Sequence, residues 1–194
     1  GISVEGLTEE RFVKQLLVPY YASLGVFISP VSMGGGISIA RVKSELERLA
    51  HSYDYVTTLY DFYGFKGKQL DDTKDTLEQK IKESITPSVC DKIIPNIQMY
   101  EFEGLLFSSP EDIALVLGNN SYQGWAQSVL DQFHGDPEKV NDSPQTAPSK
   151  RLEAHTSYKK TIDGPDIASQ IGLDTLKEKC SGFNSWIEKI EALG

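Results

Sequence analysis

The chain has 194 residues, enough for one ordinary domain with a sizeable buried core. Hydrophobic residues make up 39% and charged residues 24%, which excludes disordered and collagen-like classes. Nineteen Lys and Arg stand against 28 Asp and Glu, a net charge of −9, so the chain advertises no overall basic face of the kind duplex binding uses. No apolar run approaches the roughly 18 residues needed to span a bilayer, and the start lacks the layout of a secretory signal. The expectation is a cytoplasmic protein that does not cross a membrane.

In chain order, Ile2, Ser3 and Val4 read as a short strand ending at Glu5-Gly6. Thr8 opens a helix with acids Glu9 and Glu10 in its first turn and an apolar stripe of Phe12, Val13, Leu16 and Leu17. Pro19 is expected to end or kink it. Val26, Phe27 and Ile28 predict a second strand, and Gly34-Gly35-Gly36 a flexible turn. Ile39, Val42, Leu46 and Leu49 step by three and four, the spacing of an amphipathic helix. Residues 55–60 are β-branched or aromatic with no charge until Asp61, the pattern of a strand buried on both faces. A helix carrying Leu77, Ile81 and Ile85 follows, then a strand over 93–100 with Pro95 marking an edge or bulge.

Beyond residue 100 the pattern is mainly helical. Ser109-Pro110-Glu111-Asp112 is a helix start, and Trp125, Val129 and Phe133 share a helical face. Residues 135–148 read as a loop, 149–159 as a helix, and the tail after Gly164-Pro165 as helical to Ile190. The fold expected is therefore α/β: a central, mostly parallel four-stranded sheet flanked by helices over 1–100. A helical extension over 101–194 packs on it as one compact unit.

Cys90 and Cys180 match no zinc spacing, and with three His and no HExxH a zinc hydrolase is disfavoured. The glycine run is neither a P-loop nor a dinucleotide fingerprint, and no serine sits in a nucleophile elbow. Three of the four predicted strands instead end on acids: Glu5, Asp61, and Glu101 with Glu103 two residues on. In a parallel sheet, ligands enter beyond the carboxyl ends of the strands. Like charges gathered there call for a compensating cation, and oxygen donors favour Mg²⁺ or Mn²⁺ over zinc. The same acids read equally well as separate caps and loop residues. Lys150, Arg151, His155, Lys159 and Lys160 form the densest basic run, which is either a phosphate-binding patch or a solvated helix face.

Val4-Glu5-Gly6-Leu7-Thr8-Glu9, Thr57-Thr58-Leu59-Tyr60-Asp61-Phe62-Tyr63-Gly64 and Glu101-Phe102-Glu103-Gly104-Leu105-Leu106-Phe107 resemble a bacterial group, domain of unknown function 4276. Pro148-Ser149-Lys150-Arg151-Leu152, Tyr158-Lys159-Lys160 and Ile171-Gly172-Leu173 resemble it too, so the likeness covers nearly the whole chain. That group looks like a short branch of the TOPRIM fold, the metal-binding module of topoisomerases, primases and OLD-type nucleases. The resemblance implies Glu5 as a general acid or base or metal ligand, and Asp61 as the first aspartate of the DxD motif. Tyr63 stands where the second aspartate would be, which leaves Glu101 or Glu103 to replace it. Lys150, Arg151 and Lys160 would bind phosphate, with Lys150 also a candidate at the reacting centre.

The expected function is a Mg²⁺- or Mn²⁺-dependent nuclease or other phosphodiester-processing protein, with nucleic acid as partner and a role in phage defence. A non-catalytic or regulatory subunit of an AAA-type ATPase complex stands beside it, as does an enzyme acting on a small phosphorylated metabolite. A homo-oligomer is the default expectation for any of them.

Overall fold

The computed structural model describes residues 1–193. Five short strands form the sheet: β1 (Ile2–Val4), β2 (Pro30–Ser32), β3 (Val56–Asp61), β4 (Ile93–Ile94) and β5 (Ile97–Gln98). The order is β2-β1-β3-β4, β5 also pairs with β3, and every pairing is parallel. All carboxyl ends therefore point to one edge. Parallel strands need crossover connections. Helices α1 (Leu7–Phe12) and α2 (Val18–Ser23), joined by a π turn at Val13–Leu17, link β1 to β2; α3 (Ile39–Ala50) links β2 to β3; α4 (Lys74–Ser84) and α5 (Pro87–Cys90) link β3 to β4.

The sheet is covered on both faces, as parallel sheets are. Alternation along β3 sends Val56 and Tyr60 into one apolar cluster with Val42, Leu46 and Ile81, and Leu59 into the other with Ile2, Val4 and Trp186. The second cluster also holds the helices of the later chain: α6 (Pro110–Val116), α7 (Ser121–Gln132), α8 (Pro148–His155), α9 (Lys160–Ile171), α10 (Leu173–Lys179) and α11 (Ser181–Glu191). Trp186 is sealed there with its indole N–H donating to Thr57 Oγ1 at 2.8 Å.

Local expectations are revised or narrowed at four places, each for a readable reason. The second strand lies at Pro30–Ser32, not at 26–28, because Ile2 pairs with Pro30 in register while Val26 and Ile28 pack on the core as a lead-in. Proline at the first residue of an edge strand sacrifices no ladder bond. Pro19 does not end its helix: Val18 N–H donates to Val13 five residues back, and the widened turn carries the chain past the missing donor. Pro95 splits the fourth predicted strand in two, and the Thr58 hydroxyl spans the break, donating to Asn96 O (2.6 Å) and accepting from Asn96 N (2.8 Å). Finally, α9 runs through Gly164-Pro165. Pro165 leaves the Thr161 carbonyl without its helical partner, and the Arg11 guanidinium supplies the donor at 2.7 Å.

Candidate functional site

The carboxyl ends of β1 and β3, and the chain leaving β5, bring Glu5, Asp61, Glu101 and Glu103 to the same edge of the sheet. Asp61 closes β3 on the face covered by α1 and α9 and is buried. Its Oδ1 accepts from Phe102 N at 2.7 Å, which docks the 3₁₀ run Phe102–Ser108 onto the strand end. That run carries Glu103 inward until it is 0% exposed. Lys160, the first residue of α9, reaches back between the two: its Nζ lies 3.2 Å from Glu103 Oε1 and 3.9 Å from Asp61 Oδ2. The Tyr158 hydroxyl donates to Glu103 Oε1 at 3.1 Å. A Cβ on Gly164 would sit 2.7 Å from that hydroxyl, so only glycine lets α9 pass so close.

Glu5 follows β1. Its Oε2 is buried with no hydrogen-bond donor, and the turn Phe62–Gly64 closes over its carboxylate. A Cβ on Gly64 would overlap that oxygen. Gly64→Ala is therefore expected to push the Glu5 carboxylate aside and cost about 1–2 kcal/mol, an overpacking effect. In a Glu5→Ala background the same change is expected to cost nearly nothing. Urea melts of the four proteins check this, and an undiminished cost without Glu5 would mean that the turn resists Ala for another reason.

Two further residues belong to this edge, although neither stands at a strand end. Glu9, in the first turn of α1, is 3% exposed and accepts from Gly6 N at 2.9 Å, so its charge joins the buried group. The signal for it in the sequence is a glutamate three residues after the cap position, able to reach back to the cap N–H. Tyr158 carries no signal of its own.

The electrostatics follow from burial with one cation among several acids. Burial raises the carboxyl of Asp61 well above its usual range, and Glu9, Glu103 and Glu5 add to this while Lys160 opposes it. Glu103 is pushed up to about 7, by burial first, with Lys160 working against the rise and Glu101 and Glu9 for it. Glu5 is raised by burial and then by the charge of Glu9. Burial opposes the charge of Lys160, but Glu103, Asp61, Glu9 and Glu101 outweigh that and hold the ammonium protonated. Burial also raises the Tyr158 phenol, so it stays a donor.

A carboxyl raised in the folded state binds its proton there more tightly than in the unfolded chain. The contribution of Glu103 to the stability of the metal-free protein is thus expected to fall as pH rises from 4.5 to about 7; Asp61 and Glu5 act in the same direction, and the N-terminal ammonium, lowered to about 6 by burial, acts in the opposite one. Glu103 alone accounts for about 3 kcal/mol at most. Urea midpoints at about pH 5 and about pH 7.5 check this, and Glu103→Gln should flatten the profile. A stability difference between wild type and Glu103→Gln that does not change over this interval would contradict the buried, raised carboxyl.

The remaining expected residues take other places. Glu101 is half-buried, and its Oε2 accepts from Ser149 N at 2.9 Å, fastening the start of α8 to this edge. Lys150 is exposed and paired with Glu153 at 2.8 Å. Arg151 is engaged by Thr146 O (2.7 Å) and Asp142 (2.5 Å) and lies over the Phe133 ring. His155 stacks on Trp125. The basic run is thus divided among surface pairs, with Lys160 turned inward, and forms no continuous patch. The triple-glycine segment is not a loose turn: Arg41 straps the carbonyls of Met33, Gly35 and Gly36, and Gly35 N donates to Glu5 O at 2.8 Å. Cys90 and Cys180 are both free, and burial pushes the Cys180 thiol up to about 12.

Among the described residues, no three Asp, Glu, His or Cys side chains converge into a ready-made metal cage. The donors present nevertheless suit Mg²⁺ or Mn²⁺ in kind. They are oxygens, and Glu5 Oε2 has no donor. Mg²⁺ commonly takes only one or two carboxylates, completing its shell with water and substrate phosphate. A cavity of about 470 Å³ lies elsewhere, at the amino ends of the strands, lined by Phe27, Tyr53 and Tyr55 among others and offering Asp54 as its only carboxylate side chain. Its chemistry does not compete with that of the carboxyl edge.

The all-parallel sheet with buried acids and one inward lysine at its carboxyl edge defines an α/β protein with a candidate acid–base site. Residues 4–191 match the family model described as Domain of unknown function (DUF4276), and the chain belongs to that family. No curated protein and no solved structure matches the chain.

Proposed function

We propose that this protein is a divalent-metal-dependent phosphodiester hydrolase, a nuclease built on a short TOPRIM-like α/β core and acting in phage defence. The observation that carries the reading is the buried, donorless Oε2 of Glu5 at the edge where Asp61 and Glu103 share a lysine. Such an oxygen is costly unless a proton or a cation meets it. Mg²⁺ or Mn²⁺ held by Asp61 and by Glu101 or Glu103 would polarise a phosphoryl oxygen and acidify a water.

The chain's own residues do the rest. Glu5, its carboxyl raised by burial, takes the proton from an attacking water. Asp61 keeps the Phe102–Ser108 run docked and so fixes Glu101 and Glu103 relative to β3. Lys160, paired inward, and Lys150, exposed, are the cations for a phosphate at this edge. Calorimetric titration of Mn²⁺ into wild type and Asp61→Asn tests the assignment. Saturable binding lost in the variant is expected, and failure of both proteins to bind at millimolar metal would sink it.

A second reading, a non-catalytic subunit held by an AAA-type ATPase, is favoured by one observation. Lys160 already offsets one charge between Asp61 and Glu103, so part of the acidic group is satisfied without metal. The same titration separates the two.

A further inference from the structure

The turn that closes over Glu5 also carries the side chains of Phe62 and Tyr63. Tyr63 reaches toward Tyr100 and Asn141. Its ring lies 5.5 Å from that of Tyr100, and its hydroxyl accepts from Asn141 Nδ2 at 2.7 Å. Phe62 completes the group, 6.1 Å from Tyr63 and 6.3 Å from Tyr100. All three rings are half-buried, so each keeps a part of its surface open. The backbone fixes them: Tyr63 N donates to Tyr100 O at 3.0 Å, tying the turn after β3 to the chain after β5.

This cluster adjoins the acids directly, since Phe62 follows Asp61 and Tyr100 precedes Glu101. Lys68 Nζ lies 5.1 Å from the Phe62 centroid, Lys66 close by in the chain is exposed, and Lys139, also exposed, pairs with Asp136 at 2.8 Å. Asn141 Oδ1, on the amide that holds Tyr63, is buried with no donor. Half-open aromatic rings beside lysines amount to a surface that stacks flat rings and lies along a phosphate chain.

We infer that Phe62, Tyr63 and Tyr100 form a base-stacking subsite for single-stranded nucleic acid, which feeds a phosphodiester to the adjoining carboxylates. The inference rests on the phosphodiester-processing reading of that site. It also reconciles a nucleic-acid ligand with a chain of net charge −9. A duplex offers its phosphates and hides its base faces, so it needs a broad basic surface. A single strand exposes π faces, and stacking supplies affinity with few phosphate contacts.

The test is fluorescence anisotropy in EDTA, which prevents metal-dependent cleavage, using a labelled mixed-sequence oligodeoxynucleotide as a single strand and as a duplex. Wild type is expected to bind the single strand at least about ten-fold tighter, with a shallow log–log salt slope of about −1 to −2, two or three phosphates at ~0.7 each. Tyr100→Ala should weaken binding about 5- to 100-fold, the loss of one stacked base, and Tyr100→Phe should restore it. Phe27→Ala, removing an 88% exposed ring at the amino ends of the strands, is the control and should change nothing. Circular dichroism melts confirm that each variant is folded. Absence of single-strand binding, equal or tighter duplex binding, or a folded Tyr100→Ala that binds as wild type overturns the inference. Mn²⁺ binding is read separately. Metal lost in Asp61→Asn with no oligonucleotide bound leaves the carboxylate site standing without the subsite. Oligonucleotide bound through Tyr100 with no metal taken up leaves the subsite standing and removes the metal centre.

Discussion

Asp61→Asn is expected to lower metal-dependent phosphodiester cleavage by at least about 10²–10⁴-fold, the range for removing one positioned acid–base or ligand group. Its metal-free form should melt at the same temperature as wild type or higher. The two halves of this result have one origin. Asp61 is 5% exposed and is surrounded by Glu9, Glu103 and Glu5, so its charge is opposed by burial and by three like charges, with Lys160 and the Phe102 N–H offsetting them. Asparagine keeps the acceptor for Phe102 N and nearly the same volume, and it removes the charge. The fold loses a liability while the proposed site loses an anionic oxygen, the opposition expected of functional groups. Cleavage retained by the variant would remove Asp61 from the mechanism. A fall of more than a few degrees in melting temperature would instead make the pair with Lys160 a structural one.

The arrangement of elements was legible because its signals are local. A run such as residues 55–60, β-branched or aromatic and uncharged, reads as a doubly covered strand, and β3 is buried at every position. Ser109 and Pro110 announced α6, and Ser109 Oγ does accept from Asp112 N. Apart from the displaced second strand, the revised boundaries share a cause: at Pro19, Pro95 and Pro165 the chain is held past the proline by a partner distant in sequence or by a widened turn. Thr58 for Asn96 and Arg11 for the Thr161 carbonyl become visible only in three dimensions.

The site divides along the same line. Strand-end position singled out Glu5, Asp61, Glu101 and Glu103 as acids of one sheet edge. Whether each is free or already bonded depends on residues from 48 to 99 positions away: Glu101 on Ser149, Glu103 on Tyr158, Asp61 on Lys160. Lys160 illustrates the limit. In the sequence it belongs to a basic run, and only the start angle of α9 turns it inward while Lys150 stays with Glu153 at the surface. Phe62, Tyr63 and Tyr100 likewise form a cluster only because β5 pairs beside β3.

Lys160→Met is expected to destabilise the metal-free protein by about 2–3 kcal/mol near pH 7.5. That is below the ~3–5 kcal/mol for breaking a fully buried pair, because the Lys160 side chain is 36% exposed and solvent screens part of the interaction. Methionine preserves most of the aliphatic stem, so what is lost is the charge facing Glu103 and Asp61. Both carboxyls then rise further, since the group that held them down is gone. The sign of the pH dependence follows. Acids with raised folded pKa values are neutral at low pH, so the variant should approach wild-type stability near pH 5 and fall away as pH rises. Mn²⁺ should have the same restoring effect near neutral pH if Asp61 and its neighbours accept a cation, raising the midpoint of the variant more than that of wild type by mass action. Urea melts at two pH values, with and without Mn²⁺, read both effects. A loss of stability independent of pH would assign Lys160 to packing. Recovery at low pH without recovery in Mn²⁺ would keep the buried pair but deny the edge a metal, because a competent site emptied of its lysine should bind the ion more tightly than before.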